Sequence, residues 1–506
     1  MSVNARRLDD LLAGIAPAAA YAHARDIVVS GLALDSRRVK AGDAFFALQG
    51  LSTHGITFAP AAIERGAAAV LAETAKFPFP GPAGEGVRTA EGRAPIAWID
   101  NLHAQVGEIA ARFYDRPSEA LHVIGVTGTN GKTSIVQLLV AALETLGAHA
   151  ASIGTLGAGF VGAIRAGERT TPDALSVQAL LADFRDAGAS HVAMEVSSHA
   201  LEQGRVNAVA FEVAAFTNLT RDHLDYHTTM QAYGAAKARL FAWPGLRAAI
   251  INGDDAFGRE LLAQLPEGVQ GFRYSVEDVS ADILASDVRS AADGLRFDLR
   301  TPWGSGKMTT PLLGRFNVSN LLAVIGCLGA LGFPFTQIHN AVLRLQPIAG
   351  RMNRLGGGES APLVVVDYAH TPDALEQALS NLRAHCAGRL ICVFGCGGDR
   401  DQGKRPQMAA IAERLADLVI VTDDNPRFEN GDAIVAQILS GFDKREAILV
   451  QRDRAAAIAQ AVADASPGDV VLIAGKGHEP YQEIAGTKHP FDDIDVARRA
   501  LQASAC

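Results

Sequence analysis

Val123-Ile124-Gly125-Val126-Thr127-Gly128-Thr129-Asn130-Gly131-Lys132-Thr133 is the stretch on which the fold turns. An apolar run meets a Gly-rich turn, and Lys132-Thr133 then opens a segment with helical periodicity over residues 134–146. Strand, tight turn and helix N-terminus in that order make an anion cradle, because backbone N–H groups and the helix dipole both favour negative charge there. In such a cradle Gly128, Thr129, Asn130, Gly131 and Ser134 surround the phosphates of ATP, Lys132 reaches the β- and γ-phosphates, and Thr133 is a ligand for Mg²⁺. The spacing differs from the usual form: Val126 stands where the first glycine is expected, and Gly128 lies inside the loop. A plain strand–turn–helix is the competing reading, but it gives no reason for Lys-Thr after two glycines.

Working outward, short apolar runs at 123–126, 191–196, 213–216 and 248–251 alternate with Ala- and Leu-rich helical stretches. Continuous apolar runs of this length between helices predict buried parallel strands. Gln346-Pro347-Ile348-Ala349-Gly350-Arg351 and the three glycines 356–358 read as a domain junction, and a second set of runs follows at 363–366, 390–394, 418–421 and 470–473. The segment before residue 105 is small and mixed, with a turn and strand at 42–48 and a Pro- and Gly-rich surface loop at 78–94. The fold class is therefore α/β with three domains: 1–105, a central P-loop parallel-sheet domain at 106–346, and a Rossmann-like domain at 347–506.

Bulk properties agree. A chain of 506 residues is too long for one core. A formal net charge of -9 disfavours sequence-independent nucleic-acid binding, which needs excess Lys and Arg. The five cysteines have no paired spacing, which fits reduced thiols and a cytoplasmic setting. The N-terminal residues have no secretory pattern, and no run approaches the ~20 apolar residues of a membrane span.

In open parallel sheets, ligands bind beyond the carboxyl ends of the strands. Here those positions concentrate charge and glycine: 127–133, Glu195, Asn218, Asn252, Asp367, 395–400, 424–427 and 475–479. Glu195 ends a strand, where a carboxylate can reach a phosphate-bound metal, and His223 can complete that site. Taken singly, each is more often a solvated or hydrogen-bonded surface group, and Lys237 alone reads as an ordinary helical lysine. No Ser-His-Asp or Cys-His arrangement stands in a convincing context.

The ordered series changes that balance. Residues 127–133, 195–199, 218–226, Lys237, Leu313-Gly314-Arg315-Phe316-Asn317-Val318-Ser319-Asn320, Asp367-Tyr368-Ala369-His370-Thr371-Pro372 and Asp424-Asn425-Pro426-Arg427 resemble the Mur ligases of peptidoglycan synthesis, over nearly the whole chain. The shifted glycine is that family's own form of the loop. The resemblance implies an N-terminal UDP-binding domain, a central ATP-binding domain and a C-terminal amino-acid-binding domain. It implies Mg²⁺ held by Thr133, Glu195, His223 and a carbamylated Lys237. Asn317 and Asn320 would lie beside adenine, and Arg351 and Asp367 would complete the ATP site. Leu34 and Ser36 would meet uridine, while Thr170, Thr171, Ser197, Gln203 and Arg205 would contact the UDP-MurNAc dipeptide. Arg400, Asp424, Asn425, Pro426, Arg427, Gly475 and Glu479 would bind the incoming amino acid. The implied substrates are ATP, UDP-MurNAc-L-Ala-D-Glu and meso-2,6-diaminopimelate, joined through an acyl phosphate by a monomeric cytoplasmic ligase. The loop Leu51-Ser52-Thr53 departs from some family members. Two other readings stay open: a folylpolyglutamate synthetase, which shares the loop and the modified lysine, and a regulatory ATPase that ligates nothing.

Overall fold

The computed structural model describes residues 5–504 apart from residues 51, 75–86, 90–91, 292–293, 349, 351, 359 and 445–447. The chain divides into two compact units, Met1–Arg273 and Tyr274–Cys506.

The smaller sheet of the first unit has four parallel strands, β1 (Gly31–Ala33), β2 (Asp43–Ala47), β3 (Ala69–Glu73) and β4 (Ile96–Ile99), hydrogen-bonded in that order. Helix α1 (Leu102–Phe113) carries Leu102, Val106, Ile109, Ala110 and Phe113 on one face and buries them with Phe46 and Leu71 of the sheet. Within the expected loop at 78–94, Val87–Thr89 pairs with Gly92–Ala94 as a short antiparallel ladder.

The larger sheet of this unit has β5 (His122–Thr127), β6 (Ala150–Gly154), β7 (Gly157–Phe160), β8 (His191–Glu195), β9 (Phe211–Phe216) and β10 (Ala248–Asn252), in the order β7-β6-β8-β5-β9-β10. β6, β8, β5, β9 and β10 run parallel, as the apolar runs of the last four predict, and β7 is an antiparallel edge. Between them lie α2 (Lys132–Thr145), α3 (Ala174–Asp186), α4 (Ser198–Glu202) and α5 (Met230–Ala238). β5 sits inside the sheet with Val123, Ile124 and Val126 at 0 % exposure, so the loop that follows it emerges from the buried interior of the sheet.

β11 (Gln270–Ser275) leads into the second unit, where β12 (Ile283–Ala291), β13 (Gly294–Thr301) and β14 (Gly304–Thr310) form an antiparallel meander. These strands fall outside the expected parallel set. Their signal is alternation: Leu295, Phe297 and Leu299 are buried while Arg296, Asp298 and Arg300 are exposed, the pattern of a strand with one wet face. Helix α6 (Phe316–Ala330) follows. The C-terminal sheet contains β15 (Asn353–Gly356), β16 (Leu363–Asp367), β17 (Leu390–Phe394), β18 (Leu418–Val421), β19 (Ile448–Val450) and β20 (Val470–Ala474), in the order β15-β16-β20-β17-β18-β19. All pairings are parallel except that of β15, so the stretch read as a junction supplies an edge strand ending at Gly356. Helices α7 (Pro372–Arg383), α8 (Lys404–Leu415), α9 (Gly431–Leu439), α10 (Arg454–Ala463) and α11 (Asp493–Ser504) cover it, and β21 (Tyr481–Ile484) pairs with β22 (Thr487–Pro490) as a hairpin. Among the described residues, no helix is long and apolar enough to cross a membrane.

One ion pair anchors the last helix. Arg454 donates from Nε and Nη2 to the two Asp493 oxygens at 2.8 and 2.7 Å, and from Nη2 to the Ala474 carbonyl at 3.1 Å. Both side chains are fully buried. Removing one partner strands the other charge, which costs about 3–5 kcal/mol. Asp493→Ala is expected to destabilise the second unit by that amount in urea unfolding, and Arg454→Met together with Asp493→Leu to recover most of it. A loss below about 1 kcal/mol would show that the pair is no anchor.

Candidate active site

The loop after β5 is shaped by its neighbour β9. Thr217 N–H donates to the Thr127 carbonyl at 3.0 Å, Thr129 N–H to the Asn218 carbonyl at 2.8 Å, and Asn130 N–H to Asn218 Oδ1 at 2.9 Å. Thr217 Oγ1 closes the set on the Asn130 carbonyl at 2.6 Å. Gly128, at φ 145°, lies so close to Thr217 that a Cβ would stand 1.8 Å from its hydroxyl, so only glycine fits. Gly131, at φ 87°, caps α2, which begins at Lys132 instead of residue 134; Thr133 is buried and Ser134 half-buried in its first turn. Lys132 Nζ folds back onto the Gly128 and Thr129 carbonyls at 2.9 and 2.8 Å.

Lys237 meets the same carbonyl. It projects from α5 with 1 % exposure, donates to Gly128 O at 2.8 Å, and lies 4.3 Å above the Tyr233 ring. Tyr233 OH is in turn 3.2 Å from Thr129 Oγ1. Burial, then the Lys132 charge, pulls the Lys237 ammonium well below the usual lysine range. Two ammonium groups at one carbonyl are a poor arrangement unless anions join them. Glu195, at the end of β8, is 1 % exposed and accepts from Thr155 N–H at 2.8 Å and Thr155 Oγ1 at 3.1 Å. A carboxylate has about four lone-pair sites, so coordination capacity remains. Gly154 makes room for it, since a Cβ there would stand 2.3 Å from Glu195 Oε1. His223 is half exposed, at φ 52°, with its ring edge-on to His199 at 4.8 Å. Among the described residues no three His, Cys, Asp or Glu side chains form a ready metal cluster. The expected Mg²⁺ set of Thr133, Glu195, His223 and a modified Lys237 contains only two side chains of those types.

The residues expected at the UDP-MurNAc dipeptide do assemble. Thr171 Oγ1 donates to the Glu195 carbonyl at 2.8 Å and accepts from Ser197 N–H at 3.1 Å. Arg205 donates to the Thr171 carbonyl at 3.0 Å and to Gln203 Oε1 at 2.6 Å, while Gln203 Nε2 donates to Tyr226 OH at 3.0 Å. Thr170 joins through Thr155 Oγ1 at 3.1 Å. Leu34 and Ser36 are half-buried beside β1, and the neighbouring Arg38 comes within 3.9 Å of Glu168.

In the second unit, Asn317 Nδ2 donates to the Leu313 carbonyl at 2.7 Å and Asn320 Nδ2 to Asn317 Oδ1 at 2.9 Å, both on the buried face of α6. Asp367 Oδ2 accepts from Met352 N–H at 2.8 Å. Arg351 lies outside the described residues.

The residues expected at the incoming amino acid form two adjoining groups. Arg427 Nη1 and Arg400 Cγ lie 3.0 and 3.9 Å from where a Gly397 Cβ would stand. Arg427, at φ 52°, donates from Nη1 to the Gly398 carbonyl at 2.7 Å, and its Nε is 3.5 Å from Glu483. Pro426 and Arg427 also line a cavity of about 350 Å³ with the 77 % exposed Phe428. The second group centres on Asn425: its Nδ2 donates to Glu479 at 2.7 Å, and its Oδ1 accepts from Lys476 Nζ and Glu483 N–H, both at 2.9 Å. Gly475 makes room for Asp424, since a Cβ would stand 2.4 Å from Asp424 Oδ2. Burial pushes the Asp424 carboxyl up and the Lys476 ammonium down, each opposed by the other's charge. Sequence reading missed Thr155, Tyr233, Thr217 and Lys476. Thr155 follows a parallel strand, but that strand is short and Ala-rich; the others gain meaning only from their neighbours in space.

Three family models match along the chain: "Mur ligase family, catalytic domain" at residues 28–114, "Mur ligase middle domain" at 126–328 and "Mur ligase, glutamate ligase domain" at 350–477. The UDP-N-acetylmuramoyl-L-alanyl-D-glutamate--2,6-diaminopimelate ligase of Xanthomonas campestris pv. campestris is 58% identical over 94% of this chain and 95% of its own length. That of Pseudomonas aeruginosa is 53% identical over 95% and 96%. A solved structure of a ligase of the same name superposes with a TM-score of 0.70 at 39% identity, covering 94% of this chain and 95% of that one. A folylpolyglutamate synthase from Mycobacterium tuberculosis, at 18% identity and a TM-score of 0.60, covers 74% of this chain and 92% of its own, and shares the fold alone. Near-complete coverage at such identity leaves one placement: the chain is a member of the Mur ligase family, with its three-domain α/β fold.

Proposed function

We propose that this chain is the ATP-dependent ligase that joins meso-2,6-diaminopimelate to UDP-MurNAc-L-Ala-D-Glu, in the cytoplasm and as a monomer. The domains are 1–105 for the UDP moiety, 106–346 for ATP and 347–506 for the amino acid. The observation that carries the chemistry is the meeting of Lys132 and buried Lys237 on the Gly128 carbonyl. The substrates are those in the names of relatives at 53–58% identity.

A carboxylate is a poor electrophile at neutral pH. Its oxygen attacks the γ-phosphorus, the bond to ADP breaks, and an acyl phosphate results. The amine then attacks the acyl carbon, phosphate leaves, and the amine's proton passes to water. The protein positions two anions and offsets their repulsion. Lys132 turns from the loop carbonyls to the β/γ-phosphates. Burial and the Lys132 charge lower the proton affinity of Lys237, which favours the free amine; that amine adds CO₂ and releases a proton, turning a misplaced cation into an anionic ligand. Thr133, Glu195, His223 and the carbamate would hold Mg²⁺, which supplies charge neutralisation at the phosphates. Asn317, Asn320, Arg351 and Asp367 serve the nucleotide, and the Thr170–Arg205 network orients the dipeptide.

Phosphate release with UDP-MurNAc-L-Ala-D-Glu, testing meso-diaminopimelate and lysine separately, checks the reading; release that needs neither amine would favour a regulatory ATPase. Arg427 supplies a selectivity test. Meso-diaminopimelate has a second carboxylate where lysine has none, and a guanidinium can grip it as a fork. Arg427→Ala is expected to raise the Michaelis constant for meso-diaminopimelate by about 30-fold or more, from the ~2–5 kcal/mol typical of a lost charge pair, and that for the UDP substrate little. Unchanged discrimination against lysine would put the selectivity elsewhere.

A further inference from the structure

We propose that Arg405 is a positioning residue for recognition of the incoming amino acid, clamping the loop that carries Arg400 to the loop that carries Arg427. This rests on the amino-acid site proposed above.

Arg405 stands in the first turn of α8 with 0 % exposure. Its Nη1 pairs with Glu429 Oε2 at 2.8 Å and donates to Gln437 Oε1 at 2.7 Å, and its Nη2 donates to the Gly397 carbonyl at 3.1 Å. One planar group therefore joins the loop after β17, the loop after β18 and helix α9. Those loops interlace directly above it. Glu429 accepts from Asp399 N–H at 2.6 Å, Gly398 N–H donates to the Asn425 carbonyl at 2.9 Å, and Phe428 N–H donates to Asp399 Oδ2 at 3.1 Å. Arg427 Nη1 reaches across to the Gly398 carbonyl, one residue from the carbonyl that Arg405 holds.

The arrangement leaves little slack. A Cβ on Gly398 would stand 1.9 Å from the Pro426 carbonyl. Arg427 has φ 52°, a conformation an arginine keeps only where its surroundings impose it. On its other side, Arg427 N–H donates to the Glu483 carbonyl at 3.0 Å, and Ala485 N–H donates to the Arg427 carbonyl at 2.7 Å. The Arg405 hydrogen bond holds the Glu429 carboxyl below its usual range, so Glu429 accepts as a carboxylate. An ammonium in place of the guanidinium supplies the charge but not the fixed directions to Glu429, Gln437 and Gly397. The guanidinium of Arg427 would then lose the Gly398 carbonyl that sets its aim.

The test compares the full-length enzyme with Arg405→Lys, Glu429→Gln, Arg427→Ala and the Arg405→Lys/Arg427→Ala double variant, after far-ultraviolet circular dichroism has established folding. Steady-state constants are measured for ATP, UDP-MurNAc-L-Ala-D-Glu, meso-diaminopimelate and lysine. Arg405→Lys is expected to raise the Michaelis constant for meso-diaminopimelate about 10-fold and to narrow its preference over lysine. The constants for ATP and the UDP substrate should stay within about twofold. Because Arg405 acts through Arg427, it should add less than about twofold in the Arg427→Ala background. Glu429→Gln keeps the acceptor and should give the same selective pattern, more weakly; it stands in if Arg405→Lys does not fold. Equal damage to all substrates, or effects of Arg405→Lys and Arg427→Ala that multiply, would overturn the proposal. A wild-type enzyme that releases no phosphate in response to meso-diaminopimelate would instead overturn the functional reading beneath it.

Discussion

Lys237→Ala will lose about 10²–10³-fold in turnover, the size of effect seen when one preorganised electrostatic element is removed from a phosphoryl- or acyl-transfer site, and short carboxylic acids will return part of it. The reasoning starts from burial. An ammonium with 1 % exposure, one carbonyl partner and a second lysine at the same carbonyl is held at a cost. That environment lowers the affinity for the proton, burial first and Lys132 second. The sign follows: the neutral amine, which adds CO₂, prevails above the folded-state pKa, and depressing that pKa brings the reactive form down toward neutral pH. Recovery after CO₂ depletion should accordingly speed up as pH rises through the depressed pKa and level off above it. Removing the side chain leaves a hole beside Tyr233 and Gly128 that formate or acetate can enter as a replacement anion. Mass spectrometry of gently handled protein should find the mass of one added CO₂ on the peptide carrying Lys237. A fully active enzyme with an unmodified amine there would end the idea.

Lys132→Ala is expected to cost at least as much, about 10³-fold or more in turnover, with the fold intact. In this structure its ammonium rests on the Gly128 and Thr129 carbonyls, so it is preplaced over the loop where the phosphates would lie. The loop does not depend on it for shape, because Thr217 and Asn218, just after β9, hold Thr127, Thr129 and Asn130. The two roles therefore separate. An unchanged unfolding midpoint with lost turnover assigns Lys132 to the chemistry, whereas near-normal turnover with unchanged nucleotide affinity removes it from the phosphate site. Thr217→Val should do the reverse in kind, loosening the loop through the lost bond to the Asn130 carbonyl while leaving the lysine in place.

By itself the sequence determined the elements whose signal is local. Buried parallel strands are continuous apolar runs, and each of the runs at 123–126, 191–196, 213–216, 248–251, 363–366, 390–394, 418–421 and 470–473 became a strand. The phosphate loop was legible because its function requires glycine, lysine and threonine next to one another along the chain. The meander β12–β14 was missed because its signal is period-two alternation, which a search for continuous runs passes over. Lys237, Lys476 and Arg405 look like ordinary charged residues in helices and loops. Their chemistry comes from being taken out of water, at 1 %, 0 % and 0 % exposure, and from partners 109, 51 and 32 residues away in Gly128, Asn425 and Gln437. Burial and direction are properties of the packed chain, and a low dielectric makes each hydrogen bond or neighbouring charge count far more than it would on a solvated surface. How far each of these side chains is taken out of water, and which groups it faces there, was therefore decided only by the tertiary structure.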